Sequence, residues 1–584
     1  MKSGAHALMA RQFRLLLVFI CLLPTVAIAQ KIDSDGIFAP DKLIEVEIRM
    51  KEADWDSLRF QSRNIGTMMS GGMVDDPFTY FQTDLAIDGI EIESVGVRKK
   101  GLFGSADSER PSLKISFDEF KKQDPVDGLN RLTLNNNKQD SSQLSQFLSY
   151  QLFRKAGIHA PRSNFARVTV NGQDLGIYSH VESIDKPFLK KSFGDNSGNL
   201  YEGTLTDFHP KTIDKIEIKT NNKENDRSEL KRLTEILAAD GTLDVSTLKE
   251  VIDLDYFLRY WAMEGILRFW DGYASNQNNF FLYAHPENQR GYFIPWGADG
   301  SFSKDGGPFG MMNGGRGPTS FYAHSILCNR LYHTDGIPEL YKATSIKLLD
   351  DVWIEGELLE EIDRAEKLVT PYLHRSQRAT PKAIEDLREF IRGRRDVVLK
   401  ELEGSPFQVD PEPRKPMYQV SVGQVSGTFA TAWQDRTNNG RPEASNAELN
   451  LQIGGANVAV KDLTATVTEF RMPQFGSPNN GRNTPDTSSP VSLTITGKNV
   501  EDGEVFSVML SIASDSWERA VTQRVPVFGI MTEGRQSGFG FGGPQGKSLN
   551  GELWLSSAGN TAGEQVAGQF DLKIVEVHGG FFNR

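Results

Sequence analysis

The segment from residue 269 to residue 302 constrains the fold of this chain most strongly, because two short apolar runs alternate in it with polar loops. The runs at residues 280–283 and 291–296 each predict a strand, and the polar turn between them predicts an antiparallel hairpin. In such a hairpin the first strand begins at the same end at which the second strand finishes. The two flanking loops are therefore expected to lie side by side.

These flanking loops are rich in acidic and amide side chains, namely Asp271, Asn276, Asn278, Asn279 and Asp299. Carboxylate and amide oxygens are hard ligands, and Mg²⁺ binds such oxygens together with water and substrate phosphates. Asp and Asn are also common turn residues, because their side chains hydrogen-bond to the nearby backbone. Taken by itself, the segment fits a metal site and also fits an ordinary pair of turns.

Length and charge limit the wider possibilities. A chain of 584 residues is too long for one ordinary core, so two or three domains are expected. With 38% hydrophobic and 24% charged residues, the composition is that of a globular protein. The formal net charge of −12 offers no electrostatic basis for binding nucleic acid, and no nucleic-acid partner is expected.

Residues 1–29 have the pattern of a secretory signal peptide. Arg11 and Arg14 precede an apolar run at residues 15–23, and small residues at 27–29 offer a cleavage site. The apolar run is too short for a comfortable membrane span, so no integral membrane segment is expected in the mature chain. The pattern predicts a secreted, periplasmic or cell-surface protein.

The sequence pattern then changes at three points along the chain. Strand-like and helical patterns occupy separate segments, which predicts an α+β fold class. Residues 30–203 hold alternating runs closed by hairpin turns and predict a strand-rich region, whereas residues 204–409 predict a helical one. Residues 410–417 are proline-rich and predict a linker. Residues 418–584 are short alternating runs with Gly, Asn and Ser turns, the signature of an all-β, sandwich-like domain.

Local patterns make these expectations specific. Asp-Gly at residues 88–89 and Asn-Gly at residues 171–172 predict tight hairpin turns. Residues 246–270 predict one long helix that ends immediately before Asp271. Cys328 lies in an apolar run, which favours a buried structural thiol over a nucleophile.

Several familiar catalytic motifs are absent from the sequence. It has no HExxH or HxH motif and no cysteine pair, so a closed zinc site is not expected. It has neither the GxxxxGK[ST] phosphate loop nor a convincing GxSxG nucleophile turn. What remains are basic strand residues, a glutamate that follows a hairpin, and the acidic cluster described above.

These remaining groups suit phosphoryl transfer, in which catalysis consists mostly of positioning and charge neutralisation. The chain has basic candidates at Arg98, Lys100 and Lys114, then Glu182, and then Asp271 in the helical region. A lysine and a glutamate followed by Asp, Asn and Asp is the order found in a kinase. Surface Lys and Glu are common, however, and the spacing alone supports the idea only weakly.

A resemblance strengthens this interpretation. Several segments resemble the spore coat protein H family, or CotH kinases, in the same order along the chain. They lie at residues 97–101, 110–117, 170–182, 199–203, 271–283 and 293–299. The resemblance extends over roughly residues 40–405 and leaves the β-rich C-terminal region uncovered.

The resemblance implies an atypical, secreted protein-kinase-like domain of two lobes, with the N-lobe at residues 30–203 and the C-lobe at residues 204–409. Such proteins use ATP with Mg²⁺ or Mn²⁺ and phosphorylate hydroxyl side chains of secreted or coat proteins. The protein partner implied is therefore a secreted or surface substrate.

The residue roles that the resemblance implies follow its motifs. Asp271 would be the catalytic base, and Asp299 the principal metal ligand with Asn278 or Asn279 beside it. Lys114 would contact the nucleotide phosphates, with Arg98 and Lys100 as alternatives. Glu182 would pair with the lysine or help to hold metal, and Tyr201 would lie near the adenine where the lobes join.

One departure from the family pattern leaves two functions open. The family usually shows Pro-Trp-Asp-x-Asp, whereas this chain has Gly297 in place of the first Asp and keeps Asp299. If Asp299 is the essential carboxylate, an active kinase is expected. If the missing one is essential, a catalytically degenerate surface or envelope protein with a binding or structural role is expected.

Overall fold

The computed structural model describes residues 31–61, 78–101, 105, 107–303, 318–434, 445–469, 490–534, 539–540, 543–544 and 546–579. The predicted signal peptide, residues 1–29, lies outside the described residues. Helices and strands both build the described chain, so the mixed α+β fold class is confirmed. Within the described residues, no helix has the length and hydropathy needed to cross a membrane.

The strand-rich region forms a closed barrel. Its strands are β1 (Leu43–Arg49), β2 (Phe81–Ile87), β3 (Ile90–Lys99), β4 (Leu113–Ser116), β5 (Arg131–Asn135), β6 (Ser163–Val170) and β7 (Gln173–Glu182). They neighbour one another in the order β1-β2-β3-β4-β5-β7-β6, and the parallel pairing of β1 with β6 closes the barrel. The other pairings are antiparallel.

Both predicted hairpin turns of the barrel are confirmed. Asp88 and Gly89 have φ of +50° and +77°, and Asn171 and Gly172 have φ of +50° and +78°. Positive φ at both central residues gives a turn whose twist matches that of the strands, which is why Asn-Gly and Asp-Gly are favoured there. After the first of these turns, β3 runs without a break from Ile90 to Lys99.

The helices provide the remaining framework of the first two regions. They are α1 (Ser34–Ile37), α2 (Glu52–Phe60), α3 (Ser145–Lys155), α4 (Lys186–Phe193), α5 (Ser228–Ala238), α6 (Val245–Val251), α7 (Leu254–Ile266), α8 (Tyr273–Asn276), α9 (Ile326–Tyr332), α10 (Ile337–Asp351), α11 (Glu355–Val369) and α12 (Thr380–Glu403). Helices α5 to α12 all lie within residues 204–409, the region that the sequence predicts to be helical.

The long helix predicted for residues 246–270 is wrong, because the chain divides it into α6 and α7. Ile252 is extended and forms a bridge with Gly291, and Asp253 then caps α7 by accepting a hydrogen bond from the Tyr256 N–H at 3.0 Å. An Asp at an N-cap satisfies a helix-end donor and starts a new helix. Since α7 ends at Ile266, Asp271 lies beyond it in a turn.

Helix α3 joins the barrel to the helical region. Its Phe147 ring lies 4.9 Å from the Phe165 ring of β6, and its Phe153 ring lies 5.8 Å from the Tyr260 ring of α7. All four rings belong to one buried core. A small sheet, in the order β11-β10-β8-β9, lies in the same region and consists of β8 (Leu200–Gly203), β9 (Glu217–Ile218), β10 (Phe280–Ala284) and β11 (Gly291–Pro295).

The C-terminal region is all-β, apart from α13 (Ser514–Arg519), around a core of its own. Its main strands are β12 (Tyr418–Ala432), β13 (Asn446–Ile453), β14 (Ala456–Val458), β15 (Val460–Glu469), β16 (Val491–Asn499), β17 (Val505–Ile512) and β18 (Val525–Glu533). Two short strands, β19 (Phe539–Gly540) and β20 (Gly543–Pro544), pair with each other, and the main set ends with β21 (Lys547–Ala558) and β22 (Gln565–His578).

The main strands form one antiparallel sheet in the order β14-β13-β12-β22-β21-β18-β17-β16-β15. The sheet curls over its core, because Trp433, just after β12, forms a parallel bridge with Val467 of β15. The expected sandwich is thus corrected to a single curled sheet. Its longest strands carry bulges, such as the one between Ser421 and Gly423, and bulges bend and twist a strand.

Candidate functional site

The predicted hairpin is confirmed and organises the site. Strands β10 and β11 pair antiparallel, from Phe280 opposite Pro295 to Ala284 opposite Gly291. At the open end, the Trp296 N–H donates to the Asn279 carbonyl at 3.0 Å. The loop before the first strand and the loop after the second are therefore held side by side, as the pattern predicted.

A buried glutamate shapes the first of these loops. The Glu264 carboxylate of α7 accepts hydrogen bonds from the Tyr273 and Ala274 N–H groups, each at 2.8 Å, at the start of α8. Gly272 allows this approach, because a Cβ there would lie 2.4 Å from Glu264 Oε1. Burial raises the pKa of Glu264 to about 7. The sequence analysis missed this residue, since its helical position looks like that of any core-facing neighbour.

Asp271 lies half-buried among amide donors. Its carboxylate accepts hydrogen bonds from Asn276 Nδ2 at 2.6 Å, Asn278 Nδ2 at 3.1 Å and Asn279 Nδ2 at 2.8 Å. Burial raises the pKa of Asp271, and these three bonds oppose the rise only in part. The loop thus holds a carboxylate in a fixed orientation with neutral partners.

Asp299 approaches Asp271 from the second loop. It lies half-buried in the 3₁₀ turn Ala298–Gly300, and burial, followed by the charge of Asp271, raises its pKa to about 7 while Lys100 opposes the rise. Gly300 brings the turn close, because a Cβ there would lie 3.6 Å from the Asp271 Cβ. The structure therefore brings the predicted base and the predicted metal ligand together.

At position 297, where the chain departs from the family pattern, a side chain would meet a close neighbour. Gly297 has φ of +53°, a conformation that side chains rarely adopt, and a Cβ there would lie 2.5 Å from Asn279 Oδ1. The Asn279 amide therefore occupies the space that an aspartate at position 297 would need. Asn278 differs, because its Oδ1 already accepts a hydrogen bond from the Leu205 N–H at 3.1 Å.

The donor set fits a hard divalent cation. Within the described residues, no group of three or more His, Cys, Asp or Glu side chains could hold a metal. Asp271 and Asp299 nevertheless form a carboxylate pair, and Asn279, whose Nδ2 donates to Asp271, directs its amide oxygen towards Gly297. Mg²⁺ sites commonly use one or two carboxylates and leave the other positions to water and phosphate. A bound cation would also offset the burial and the repulsion from Asp271 that together raise the pKa of Asp299.

The barrel contributes a basic surface. Lys114 of β4 lies half-buried opposite Arg98 of β3. Burial, together with the charges of Lys219, Arg98 and Arg131, lowers the pKa of Lys114 to about 8. These neighbouring cations repel one another and are only partly solvated. A bound anion would relieve this repulsion.

Lys100 and Glu202 link this basic surface to the carboxylate pair. The Lys100 ammonium lies 5.7 Å from the centre of the Trp296 ring, and its charge acts on both Asp299 and Glu202. Glu202 of β8 pairs with Lys219 at 2.9 Å. Burial alone would raise the pKa of Glu202, but Lys219, Lys114 and Lys100 together lower it. Sequence reasoning missed Glu202, which belongs to the segment quoted for the family resemblance.

Glu182 has a different partner from the predicted lysine. Its two carboxylate oxygens accept from Arg162 Nη2 at 2.7 Å and Arg162 Nε at 3.1 Å, and the Arg162 N–H adds a further bond at 3.1 Å. The structure therefore shows a Glu182–Arg162 pair in place of the expected pair with Lys114. The reason is position, since the end of β7 places Glu182 beside Arg162, the residue that directly precedes β6.

Tyr201 lies in the core. Its side chain is fully buried, and its hydroxyl donates to Glu229 at 2.8 Å and to the Asp226 carbonyl at 3.0 Å. The structure does not bring the Tyr201 hydroxyl to the carboxylate pair. Its place near an adenine stays a prediction.

Arg414, in the predicted linker, contacts the loop that carries Ser275 and Asn276. Its guanidinium donates to Asn276 Oδ1 at 3.2 Å and to the Ser275 carbonyl. Because its amide oxygen is engaged in this way, Asn276 turns its Nδ2 towards Asp271. The proline-rich pattern of residues 410–417 predicts only a spacer and gives no sign of this contact.

Comparisons with known proteins find relatives of this chain. The family model described as CotH kinase protein matches residues 97–398. The inner spore coat protein H of Bacillus subtilis (strain 168) is 27% identical over 210 residues, covering 34% of this chain and 56% of that protein. Invasin CotH2 of Rhizopus delemar is 26% identical over 197 residues, covering 31% of this chain and 33% of that protein.

The chain thus spans about half of the spore coat protein and one third of the invasin. Among solved structures, the Helicobacter pylori proinflammatory kinase CtkA matches with a TM-score of 0.26 and 11% identity, covering 50% of this chain and 89% of that one. A score this low does not establish a shared fold, and the two-lobed arrangement stays a prediction.

Proposed function

Since the chain belongs to the CotH kinase protein family, we propose that it transfers the γ-phosphate of ATP to Ser or Thr hydroxyls of extracytoplasmic or coat proteins. The observation that carries this proposal is the carboxylate pair Asp271 and Asp299, which the charge of Lys100 connects to the basic surface around Lys114. Phosphoryl transfer requires a positioned base, a metal site and cations for the phosphates. This arrangement supplies a candidate for each.

The chemistry assigns one role to each side of the site. The ionised Asp271 carboxylate accepts the proton of the substrate hydroxyl while the hydroxyl oxygen bonds to the γ-phosphorus and the bond to the ADP oxygen breaks. The amide donors of the Asn side chains keep this carboxylate pointed at the substrate. Lys114 and Arg98 attract the phosphates of ATP, and Lys100 adds charge next to Asp299.

Asp299 and Asn279 would hold Mg²⁺ or Mn²⁺, with Asp271 beside them. A divalent cation bound there supplies charge neutralisation at the phosphate oxygens. Asn279 Oδ1 is the better amide candidate, since Asn278 uses its oxygen on the Leu205 N–H. On this assignment the amide of Asn279 takes the space that the family gives to its first Asp.

The test is label transfer from γ-³²P-ATP with Mn²⁺ or Mg²⁺, read as autophosphorylation and as transfer to casein, with phosphosites identified by mass spectrometry. We expect Asp299→Asn to lower transfer by about a hundredfold or more, because it removes the carboxylate that would hold the metal. Asp127→Asn, at a barrel carboxylate that is 70% exposed, is the matched control and should transfer normally. Equal transfer by the wild type and Asp299→Asn would overturn the assignment.

A second candidate function is binding without transfer at a surface or envelope. The Gly297 departure favours it, because the site then has one carboxylate fewer than the family pattern. Thermal unfolding with and without ATP and Mn²⁺ separates the candidates, since a ligand that binds only the native state raises the melting temperature. Stabilisation without label transfer would support the binding protein, and transfer that depends on Asp299 would support the kinase.

The extracytoplasmic location is part of the proposal. It rests on the signal-peptide pattern of residues 1–29 and on relatives that are named as spore coat proteins and invasins. Fractionation of producing cells should find the full chain processed and exported, whereas a variant without residues 1–29 should stay in the cytoplasm. Export of both forms would contradict the assignment of the signal.

A further inference from the structure

A groove crosses the C-terminal sheet in a part of the molecule that the proposed kinase chemistry does not use. It has a volume of about 470 Å³ and lies across strands β13, β12, β22 and β21, with Arg524 at one end. The side chains that face it are mostly polar or charged, and one large aromatic ring is among them. The face is opposite to that of the core, because the alternate residues Val425, Phe429 and Leu553 point into the core.

The strand register orders the lining into two rows. In the first row, Glu448 of β13 lies opposite Thr428 of β12, Thr428 lies opposite Gln569 of β22, and Gln569 lies opposite Trp554 of β21. Three inter-strand spacings separate the ends of this row, a distance of about 14 Å. The row therefore ends in a carboxylate on one side and an indole on the other.

The second row lies two residues further along each strand. Asn450 lies opposite Ser426, Ser426 opposite Asp571, and Asp571 opposite Glu552. Arg524 pairs with Glu552 at 3.3 Å. Small side chains on β12 thus form the floor of the groove, and longer side chains on the flanking strands form its walls.

Trp554 is the unusual member of this set. Its side chain is 44% exposed, whereas Trp517 of the same region is buried in the core. A large exposed aromatic ring rimmed by polar groups marks a ligand site more often than a random surface position. The flat face of an indole matches the C–H face of a sugar ring, and planar amide and carboxylate groups match the hydroxyls at its edge.

The charges of the groove select among polar polymers. Glu448, Glu552 and Asp571 contribute three negative charges, and Arg524 contributes one positive charge. An excess of carboxylates repels nucleic acids and acidic polysaccharides. An open, elongated trough also suits a chain better than a single small molecule.

We propose that this groove binds a neutral polysaccharide, with Trp554 stacking on a sugar ring and Gln569 and Asn450 bonding to hydroxyls. The site belongs to the C-terminal region, which the family match to residues 97–398 leaves uncovered. It gives the protein a means of staying on a glycan surface. The proposal is independent of phosphoryl transfer and of the outcome at Asp299.

The test is calorimetric titration of the full chain with cello-, laminari-, manno- and chito-oligosaccharides of about six sugars, with polygalacturonate as an acidic probe. We expect saturable binding of at least one neutral or N-acetylated probe, and a tenfold or greater loss of affinity in Trp554→Ala. Trp554→Phe should keep part of the affinity, because it retains a ring. Phe120→Ala, at a barrel ring that is 47% exposed, is the matched control and should bind as the wild type does.

Circular dichroism and thermal unfolding establish that each variant folds before it is titrated. Binding by Trp554→Ala equal to that of the wild type would overturn the proposal. So would binding of polygalacturonate alone, or of no neutral probe at millimolar concentration. Label transfer by Trp554→Ala should match the wild type, so a failure of this proposal is distinct from a failure of the kinase assignment.

Discussion

Two carboxylates, Asp271 and Glu182, show that the hydrogen-bonding partners of a carboxylate determine whether its charge is available for chemistry. The sequence analysis placed both at the site. In the structure, Asp271 accepts hydrogen bonds from the amides of Asn276, Asn278 and Asn279, whereas Glu182 forms a two-point ion pair with Arg162.

The difference is one of net charge. Amide donors orient the Asp271 carboxylate without forming an ion pair, and the charge of Arg414 acts on it less than any of these hydrogen bonds does, so the carboxylate can act on a proton or a cation. The guanidinium of Arg162 neutralises Glu182 and also contacts Asp35 and the Phe38 ring, whose centre lies 4.5 Å away. Glu182 therefore ties the N-terminal segment to the barrel, and Asp271 remains available for chemistry.

The largest effect that this comparison predicts is on catalysis. Asp271→Asn should lower kcat about 10²- to 10⁴-fold, because it removes the proposed base while keeping the shape of the side chain. Its melting temperature should change little, because the variant loses a buried charge but its new Nδ2 also faces the amide donors of the loop. Steady-state label transfer and thermal unfolding measure the two quantities. A kcat within threefold of the wild type would remove Asp271 from the mechanism.

The next largest effect is on stability. Glu182→Gln should lower the free energy of unfolding by about 3 kcal/mol, because the Arg162 guanidinium loses a carboxylate that is only 4% exposed and is left with the exposed Asp35 as its charged partner. Glu357→Gln is the matched control, since that carboxylate pairs with Lys155 while 59% exposed and should cost about 1 kcal/mol or less. Urea unfolding measures both, and equal losses would show that burial of the pair contributes little.

The third effect is also on stability and concerns Gly297, which lies next to Asn279, a hydrogen-bonding partner of Asp271. Gly297→Ala should lower the free energy of unfolding by more than Gly503→Ala. Both glycines have positive φ, which costs an alanine about 1–2 kcal/mol, but only Gly297 faces a neighbour, at 2.5 Å from Asn279 Oδ1.

A double-variant cycle sharpens this test. In an Asn279→Gly background, the excess cost of Gly297→Ala over Gly503→Ala should largely disappear, because the neighbour that the new Cβ meets is gone. Urea unfolding of the two backgrounds, and of each glycine variant in both, gives the coupling energy. A cost that is unchanged in that background would show that backbone conformation alone demands glycine at position 297.

The last effect is a pH dependence that Asp299 causes. Its pKa of about 7 in the native state lies above the ordinary value of 3.8. Between these values the native state binds more protons than the unfolded state, so stability falls as pH rises. The stability of Asp299→Asn relative to the wild type should therefore be higher at pH 8 than at pH 4, because the variant has no carboxyl group at position 299 to ionise.

Metal binding should show the opposite trend. Mn²⁺ binds the ionised carboxylate, so it should raise the melting temperature of the wild type more at pH 8 than at pH 5.5, and should hardly change that of Asp299→Asn. Thermal scans with Mn²⁺ and with a chelator measure this difference. A Mn²⁺ shift that is the same in both proteins would place the metal elsewhere.

Much of the local structure could be predicted because it depends on neighbouring residues. The turns at Asn171-Gly172 and Asp88-Gly89 follow from backbone preferences. The hairpin that places Asp299 beside the Asn loop follows from two short apolar runs separated by a polar turn. The buried state of Cys328 follows from its apolar neighbours and is confirmed.

The errors arose where a distant residue decided the outcome. The predicted long helix divides because Ile252 pairs with Gly291 of the hairpin, a contact that no helical pattern records. The expected sandwich is one curled sheet because β15 returns to the end of β12. Glu264 and Arg414 looked like an ordinary core position and an ordinary linker residue until folding placed them against the site.

The sequence by itself determined which groups the chain could use: two aspartates at one end of a hairpin, basic residues on barrel strands, and a glycine where the family has an aspartate. Only the tertiary structure decided how these groups are used. It paired Glu182 with an arginine, filled the space beside Gly297 with Asn279, and lined a second, polar groove with Trp554. The physical reason is that charge, solvation and free volume depend on neighbours that folding brings from distant parts of the chain.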